Sequence, residues 1–173
     1  MEPSDVITIL IVTVEYYMPA MAANGGALFV NRGNPIDKKI TMRDGRRVLG
    51  DGKTWEGFFV GMTFGTCVGI GISNFLGISW ILVGFSSSLG ALLGDIMGAF
   101  IKRRLGMERG ARAPILDQLD FVFGSTVLLY IQSLYTTLFP SIYNIITEII
   151  LALLLHVLTN KIAYKMGLKD VPW

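Results

Sequence analysis

Between Gly57 and Gly94 the chain carries no charged side chain, and between Phe121 and Asn160 only Glu148. A helix needs roughly 20 apolar residues to cross the hydrocarbon of a bilayer, so each stretch is long enough for two crossings. Each also has a break near its middle, Asn74 to Ser79 in the first and Phe139-Pro140-Ser141 in the second. With the apolar N-terminal stretch added, the pattern predicts an all-α integral membrane protein of five transmembrane helices. Their expected limits are residues 6–23, 57–76, 78–101, 117–138 and 143–164.

The polar positions between these spans are strongly one-sided. Residues 24–56 carry Arg32, Lys38, Lys39, Arg43, Arg46, Arg47 and Lys53. Residues 102–116 carry Lys102, Arg103, Arg104, Arg109 and Arg112, and the C-terminal end carries Lys161, Lys165 and Lys169. Together these account for all 15 lysines and arginines, while the N-terminal tail and the two short turns hold none. Cytoplasmic loops collect cations, which puts the N-terminus outside and the C-terminus in the cytoplasm of a cell membrane and requires an odd number of spans.

Composition agrees. The chain is 52% hydrophobic and 16% charged, where a soluble domain has about 25% charged residues. Glu2, Asp5 and Glu15 argue against a cleavable signal peptide, which would open on a basic region. The single cysteine, Cys67, excludes a disulfide framework. The whole of residues 1–173 reads as one membrane domain. Glycines recur at Gly57, Gly61, Gly65, Gly69 and Gly77, the first four spaced four apart, and then at Gly84, Gly90, Gly94 and Gly98. Side-chain-free faces of this kind let neighbouring backbones approach, so helix packing is the expected role. Trp55 and Trp80 fall near span ends, where indoles favour the headgroup zone. Within the first cytoplasmic segment, Lys39 to Arg43 and Arg46 to Leu49 flank Asp44-Gly45, the pattern of a short β-hairpin.

Carboxylates at a bilayer are costly and are usually retained for a purpose. Asp95 lies towards the cytoplasmic end of the third span. Asp117 and Asp120 open the fourth, and their i, i+3 spacing places both on one helix face. Three such oxygen ligands suit Mg²⁺, which keeps part of its shell for water or phosphate. Beside Lys102, Arg103 and Arg104 they would accept a metal–polyphosphate. Two plainer readings stand alongside: the acids as partners of a helix dipole, and the cations as anchors to anionic lipid. Gly52-Lys53-Thr54 resembles the end of a P-loop, but Arg47 stands where its first glycine belongs. Lys53 can still reach a phosphate from a glycine-rich loop. Glu15 and Glu148 are membrane charges without nameable partners, and His156 reads as a packed residue on an apolar helix.

Gly94-Asp95, Phe100-Ile-Lys102-Arg103-Arg104, Gly106, Gly110, Pro114 and Asp117-Gln118-Leu119-Asp120-Phe121 resemble the signature of CTP-dependent phosphatidate cytidylyltransferases. The closing Asp-Gln-Leu-Asp, the small size, Asn24-Gly25-Gly26 and the run from Gly50 to Gly57 are similar to the archaeal branch, which forms CDP-archaeol. Ala99 occupies the place of a serine in the ester-lipid pattern, and no His-Gly-Gly lies between Pro114 and Asp117, which again favours the ether-lipid branch. The resemblance implies that CTP and an isoprenoid glycerol ether lipid phosphate react to give a CDP-lipid and pyrophosphate. It implies Asp95, Asp117, Asp120 and Lys102 as catalytic residues, the three aspartates holding Mg²⁺. Asn24, Gly25, Gly26, Gly52, Lys53, Thr54, Lys102 and Arg103 would bind nucleotide and phosphates, with no nucleic acid involved. The alternatives are a CTP-using lipid kinase and a small transporter with Asp95, Glu15 and Glu148 along an ion path.

Overall fold

The computed structural model describes residues 3–30, 32–107 and 113–165; Arg109, Gly110, Arg112, Lys169 and the His156 side chain lie outside them. Five helices follow in order: α1 (Pro3–Ala27), α2 (Trp55–Leu76), α3 (Ser79–Arg104), α4 (Pro114–Thr136) and α5 (Ile142–Lys165). All five expected spans are helical, displaced by a few residues at their ends. By length and composition α1, α2 and α3 qualify to cross a membrane, and α5 is apolar over Ile142–Leu155. In α4 the run is interrupted by Asp117, Asp120 and the buried Gln132.

Breaks between helices fall where the chain loses helical geometry. Gly77 closes α2 at φ 101°, its N–H bonded to Ser73 O. Thr137 closes α4 in the left-handed region at φ 61°. Asn24, Gly25 and Gly26, expected in a loop, instead form the last turn of α1. The carbonyls of Gly25 and Gly26 accept from Leu28 and Phe29 N–H at 3.1 and 3.2 Å, which prolongs the helix.

The glycine face of α2 explains how tightly the helices meet. A Cβ on Gly61 would lie 2.6 Å from the Ala23 carbonyl oxygen of α1, and one on Gly65 would lie 2.5 Å from that of Pro19. At Gly69 it would meet the backbone of Gly84 in α3 at 2.6 Å. Such approaches replace the hydrophobic drive that lipid cannot supply between helices. Helix α3 packs most extensively on α4, and α5 leans on α1 and α4.

The interior is polar in places, and most of its hydroxyls are satisfied. Ser87 donates to Tyr16 O at 2.8 Å, Ser125 to Ser87 O at 3.0 Å, and Tyr17 meets Thr126 at 2.7 Å. Glu148 is fully buried, and neither carboxylate oxygen has a hydrogen-bond partner among the described residues. Trp80 corrects the expectation of a headgroup anchor. It is buried against Tyr16 of α1 with ring centroids 4.8 Å apart, because the turn before α3 is too short to swing it outward. Trp55 remains exposed.

The expected hairpin is also reduced. Among the described residues no strand forms. Thr41 and Arg47 make an isolated antiparallel bridge, flanked by Met42 N–H to Arg46 O at 2.9 Å and Val48 N–H to Ile40 O at 3.1 Å. The chain does reverse at Asp44-Gly45, with Gly45 at φ 72°. Pairing stops because Lys38 and Lys39 are left-handed, at φ 46° and 64°, while Leu49 and Gly50 direct their N–H groups to a carboxylate.

Candidate functional site

That carboxylate is Asp37, whose side chain is wholly buried although it sits in a basic loop. It accepts Arg47 Nη2 at 2.6 Å and Nε at 3.1 Å, and the N–H groups of Lys39, Leu49 and Gly50 at 3.0 to 3.1 Å. Burial pushes the Asp37 carboxyl up, but the Arg47 guanidinium and the three N–H groups outweigh it and hold it well below the usual carboxylate range. Arg104, in the last turn of α3, ties the same loop to the bundle. It reaches Asp44 Oδ2 at 2.6 Å and the Arg47 carbonyl at 2.5 Å, while Arg46 donates back to Arg104 O at 2.9 Å. At the loop's far end Asn34 N–H and side-chain amide both bond Glu56, at 2.7 and 2.6 Å.

The effect is to deliver Lys53 and Thr54 to a fixed place. Ile36 N–H bonds Lys53 O at 2.8 Å and Trp55 N–H bonds Asn34 O at 3.0 Å, so residues 34–36 and 53–55 run side by side. Thr54 caps α2, its hydroxyl oxygen accepting Gly57 N–H at 3.1 Å. The cap leaves Lys53 pointing across to α3, where its ammonium pairs with the Asp95 carboxylate. Around this pair is a pocket of about 100 Å³, walled by Asn24, Gly52, Lys53, Thr54 and Asp95 together with apolar Leu28, Ile36, Phe58 and Leu92. Five residues named from sequence thus come together from α1, the loop and α3.

A second pair lies where α3 ends and α4 begins. Lys102 Nζ meets Asp117 Oδ1 at 2.6 Å, and Asp117 Oδ2 accepts Ala113 N–H at 3.2 Å. Asp120 is one turn deeper. Its carboxyl rests against Gly98, where a Cβ would strike it, and accepts the N–H of Phe121 at 2.7 Å. Among the described residues it makes no ion pair, but it feels the charges of Asp95, Lys53 and Lys102. Asp120 therefore links the two lysine–aspartate pairs.

The three aspartates do not form a ready cage. Among the described residues, no group of three acidic, histidine or cysteine side chains is set to hold one metal ion. Two of the carboxylates are instead faced by lysine. A magnesium ion takes one or two protein carboxylates and completes its shell with water and phosphate; Asp120, which no lysine faces at bonding distance among the described residues, has donors of that chemistry, and Asp95 would join it only on release from Lys53. The missing side chain of Gly98 makes the space into which Asp120 fits. Gly25 is exposed with nothing near its Cα, and Gly26 is packed on Phe64 of α2, so neither lines the pocket. Arg103 is half-buried in the last turn of α3. Asp37 escaped the sequence reading, and Arg47, Arg104 and Glu56 were named there without the loop-holding roles they have. An acid directly before Lys38-Lys39 was the available signal, since Asp commonly bonds the N–H two residues on.

Apolar helices thus surround an ion-paired pocket towards one end of the bundle. A family model described as CarS-like: CDP-archaeol synthase matches residues 6–173. The CDP-archaeol synthase of Sulfolobus acidocaldarius is 56% identical over 164 residues, 95% of this chain and 98% of that protein. That of Sulfurisphaera tokodaii is 52% identical over 168 residues, 97% and 99% of the two chains. A solved structure of an intramembrane enzyme for archaeal membrane lipids biosynthesis superimposes with a TM-score of 0.76 at 37% identity, covering 85% of this chain and 91% of that one. The chain belongs to the CDP-archaeol synthase family.

Proposed function

We propose that the protein transfers the cytidylyl group of CTP to the phosphate of an isoprenoid glycerol ether lipid, releasing pyrophosphate, at the cytoplasmic face of a cell membrane. Five helices cross the bilayer in this reading, with the N-terminus outside. The observation that carries it is the Lys53–Asp95 pocket, made by one loop, the end of α1, the start of α2 and the last half of α3. Its Thr54-capped helix start points N–H groups and a positive dipole end towards the space an anion would take.

An oxygen of the lipid phosphate attacks the α-phosphorus of CTP, and the bond from that phosphorus to the bridging oxygen of pyrophosphate breaks. No general base is needed, because a phosphate monoester is already ionised near neutral pH. Lys53 and Lys102 exchange their carboxylate partners for phosphate oxygens and hold the triphosphate and the incoming phosphate together. Asp95, Asp117 and Asp120 would hold Mg²⁺, which would supply charge neutralisation for the leaving pyrophosphate. Asn24, Gly52 and Thr54 frame the nucleotide, and Arg103 adds positive charge at the surface. Gly25 and Gly26 act by shaping the end of α1.

Purified protein given CTP labelled on the α-phosphate, Mg²⁺ and an archaeol-type lipid phosphate is expected to yield labelled lipid and one pyrophosphate per turnover. Release of CDP with unlabelled lipid would point to the kinase alternative instead.

A further inference from the structure

Helices α3 and α4 enclose a second cavity, of about 410 Å³, that opens sideways along the bundle. Leu93, Met97 and Ile101 line it from α3, and Ile115, Phe123 and Leu128 from α4. From Ile115 to Leu128 the groove follows α4 for about 20 Å at 1.5 Å per residue. That is about two-thirds of a hydrocarbon layer roughly 30 Å thick. Asp120 is the one charged residue on its wall.

One end of the groove adjoins the second lysine–aspartate pair. That end lies at Ile101 and Ile115; Lys102 follows Ile101 directly in the chain and pairs with Asp117 at 2.6 Å. Asp120 itself walls the groove, its carboxyl resting against Gly98 of α3. A molecule with a phosphate at Lys102 would therefore have its hydrocarbon aligned with the groove mouth. Both helices run along the groove, so its walls are fixed by packed backbone at Gly94 and Gly124 rather than by mobile loop.

We propose that this groove binds one isoprenoid chain of the lipid phosphate and thereby sets its headgroup against Lys102. The inference rests on reading the protein as a lipid-phosphate cytidylyltransferase. The chain is already out of water in a bilayer, so the apolar walls recognise it by shape, and the groove selects for chains that fill it.

Met97→Trp and Val127→Trp put bulk into the groove from its two sides; neither residue belongs to the polar cluster, and both are exposed. Each is expected to raise the KM for a long isoprenoid lipid phosphate about tenfold or more, while the KM for CTP and turnover of a short-chain lipid phosphate stay near wild type. Leu82→Trp, on an exposed part of α3 away from the groove, is the control and is expected to change neither. A long-chain lipid phosphate carrying a diazirine near its tail end is expected to label 93–101 and 115–128. Equal loss on both lipids, unchanged long-chain KM, or labelling confined to other helices would overturn the proposal. Wild-type protein that makes no CDP-lipid sinks the enzymatic reading itself. Wild-type turnover without chain-length discrimination in the variants sinks only the groove.

Discussion

Lys53 and Asp95, 42 residues apart in the chain, form an ion pair that joins the loop before α2 to the middle of the last half of α3. Both side chains are about four-fifths covered, 22% and 21% exposed, so the pair is neither a surface decoration nor sealed from water. On the proposed mechanism it is a resting arrangement that phosphate oxygens replace. Lys53→Met and Asp95→Asn are each expected to lower kcat/KM on the order of 10²-fold, the scale of removing one charged contact to a developing anion. Thermal stability in detergent should fall far less. Full activity in Lys53→Met would remove the lysine from the reaction.

Asp117→Asn and Asp120→Asn are expected to abolish turnover while leaving a folded protein in detergent. Activity should also vanish with a chelator and return with added Mg²⁺. Asp120→Asn should also weaken Mg²⁺ binding to the CTP-loaded protein, read by calorimetry rather than by rate, more than Asp117→Asn does, since Lys102 already occupies Asp117. Equal Mg²⁺ affinity in wild type and Asp120→Asn argues against Asp120 as a ligand.

The five helices were legible because charge-free length is a one-dimensional signal: the runs from Gly57 and from Phe121 state their own limits. Asp95, Asp117 and Asp120 stood out for the same reason, as charges at the edges of such runs. The Asp37–Arg47 pair did not, because it forms inside an aperiodic loop where no spacing rule applies. Trp80 looked like an anchor from its position near a span end, yet its fate depended on Tyr16, a partner in another helix. Lys102 was visible as a cation, but its pairing with Asp117 required knowing how the segment between α3 and α4 folds back.

Asp37 makes a pH signature outside the membrane. Its folded pKa is depressed, so its stabilising effect is fully present above the unfolded value of about 4 and is lost as pH falls towards the folded value. Melting temperature of the wild type should therefore drop on acidification below about pH 4. Asp37→Asn is expected to lose about 1–3 kcal/mol at neutral pH, from stranded N–H groups and Arg47. Its acid limb should be flatter than that of the wild type.

Gly65→Val tests the close contact of α2 with α1 and α3. Its side chain would collide with Ser88 and the Pro19 carbonyl, and overpacking of this kind costs about 1–3 kcal/mol or more. The expected result is aggregation or a lower melting temperature, with Gly71→Val, which meets open space, unaffected.

Topology is checked by labelling. In a Cys67→Ala background, Arg43→Cys should react with a membrane-impermeant maleimide only after cells are opened, and Ser4→Cys from outside. The reverse pattern would invert the proposed orientation.

The clasp of Arg104 on residues 44–47 has a consequence for capture of a ligand. A segment so rich in cations would ordinarily sample many shapes and lose that freedom on binding, a cost that weakens affinity. Here the shape is already set by the fold, and its anchor belongs to the same helix as Asp95. The loop that presents Lys53 and the helix that carries Asp95 are therefore tied to one another before an anion arrives, and only the lysine–carboxylate pairs have to open.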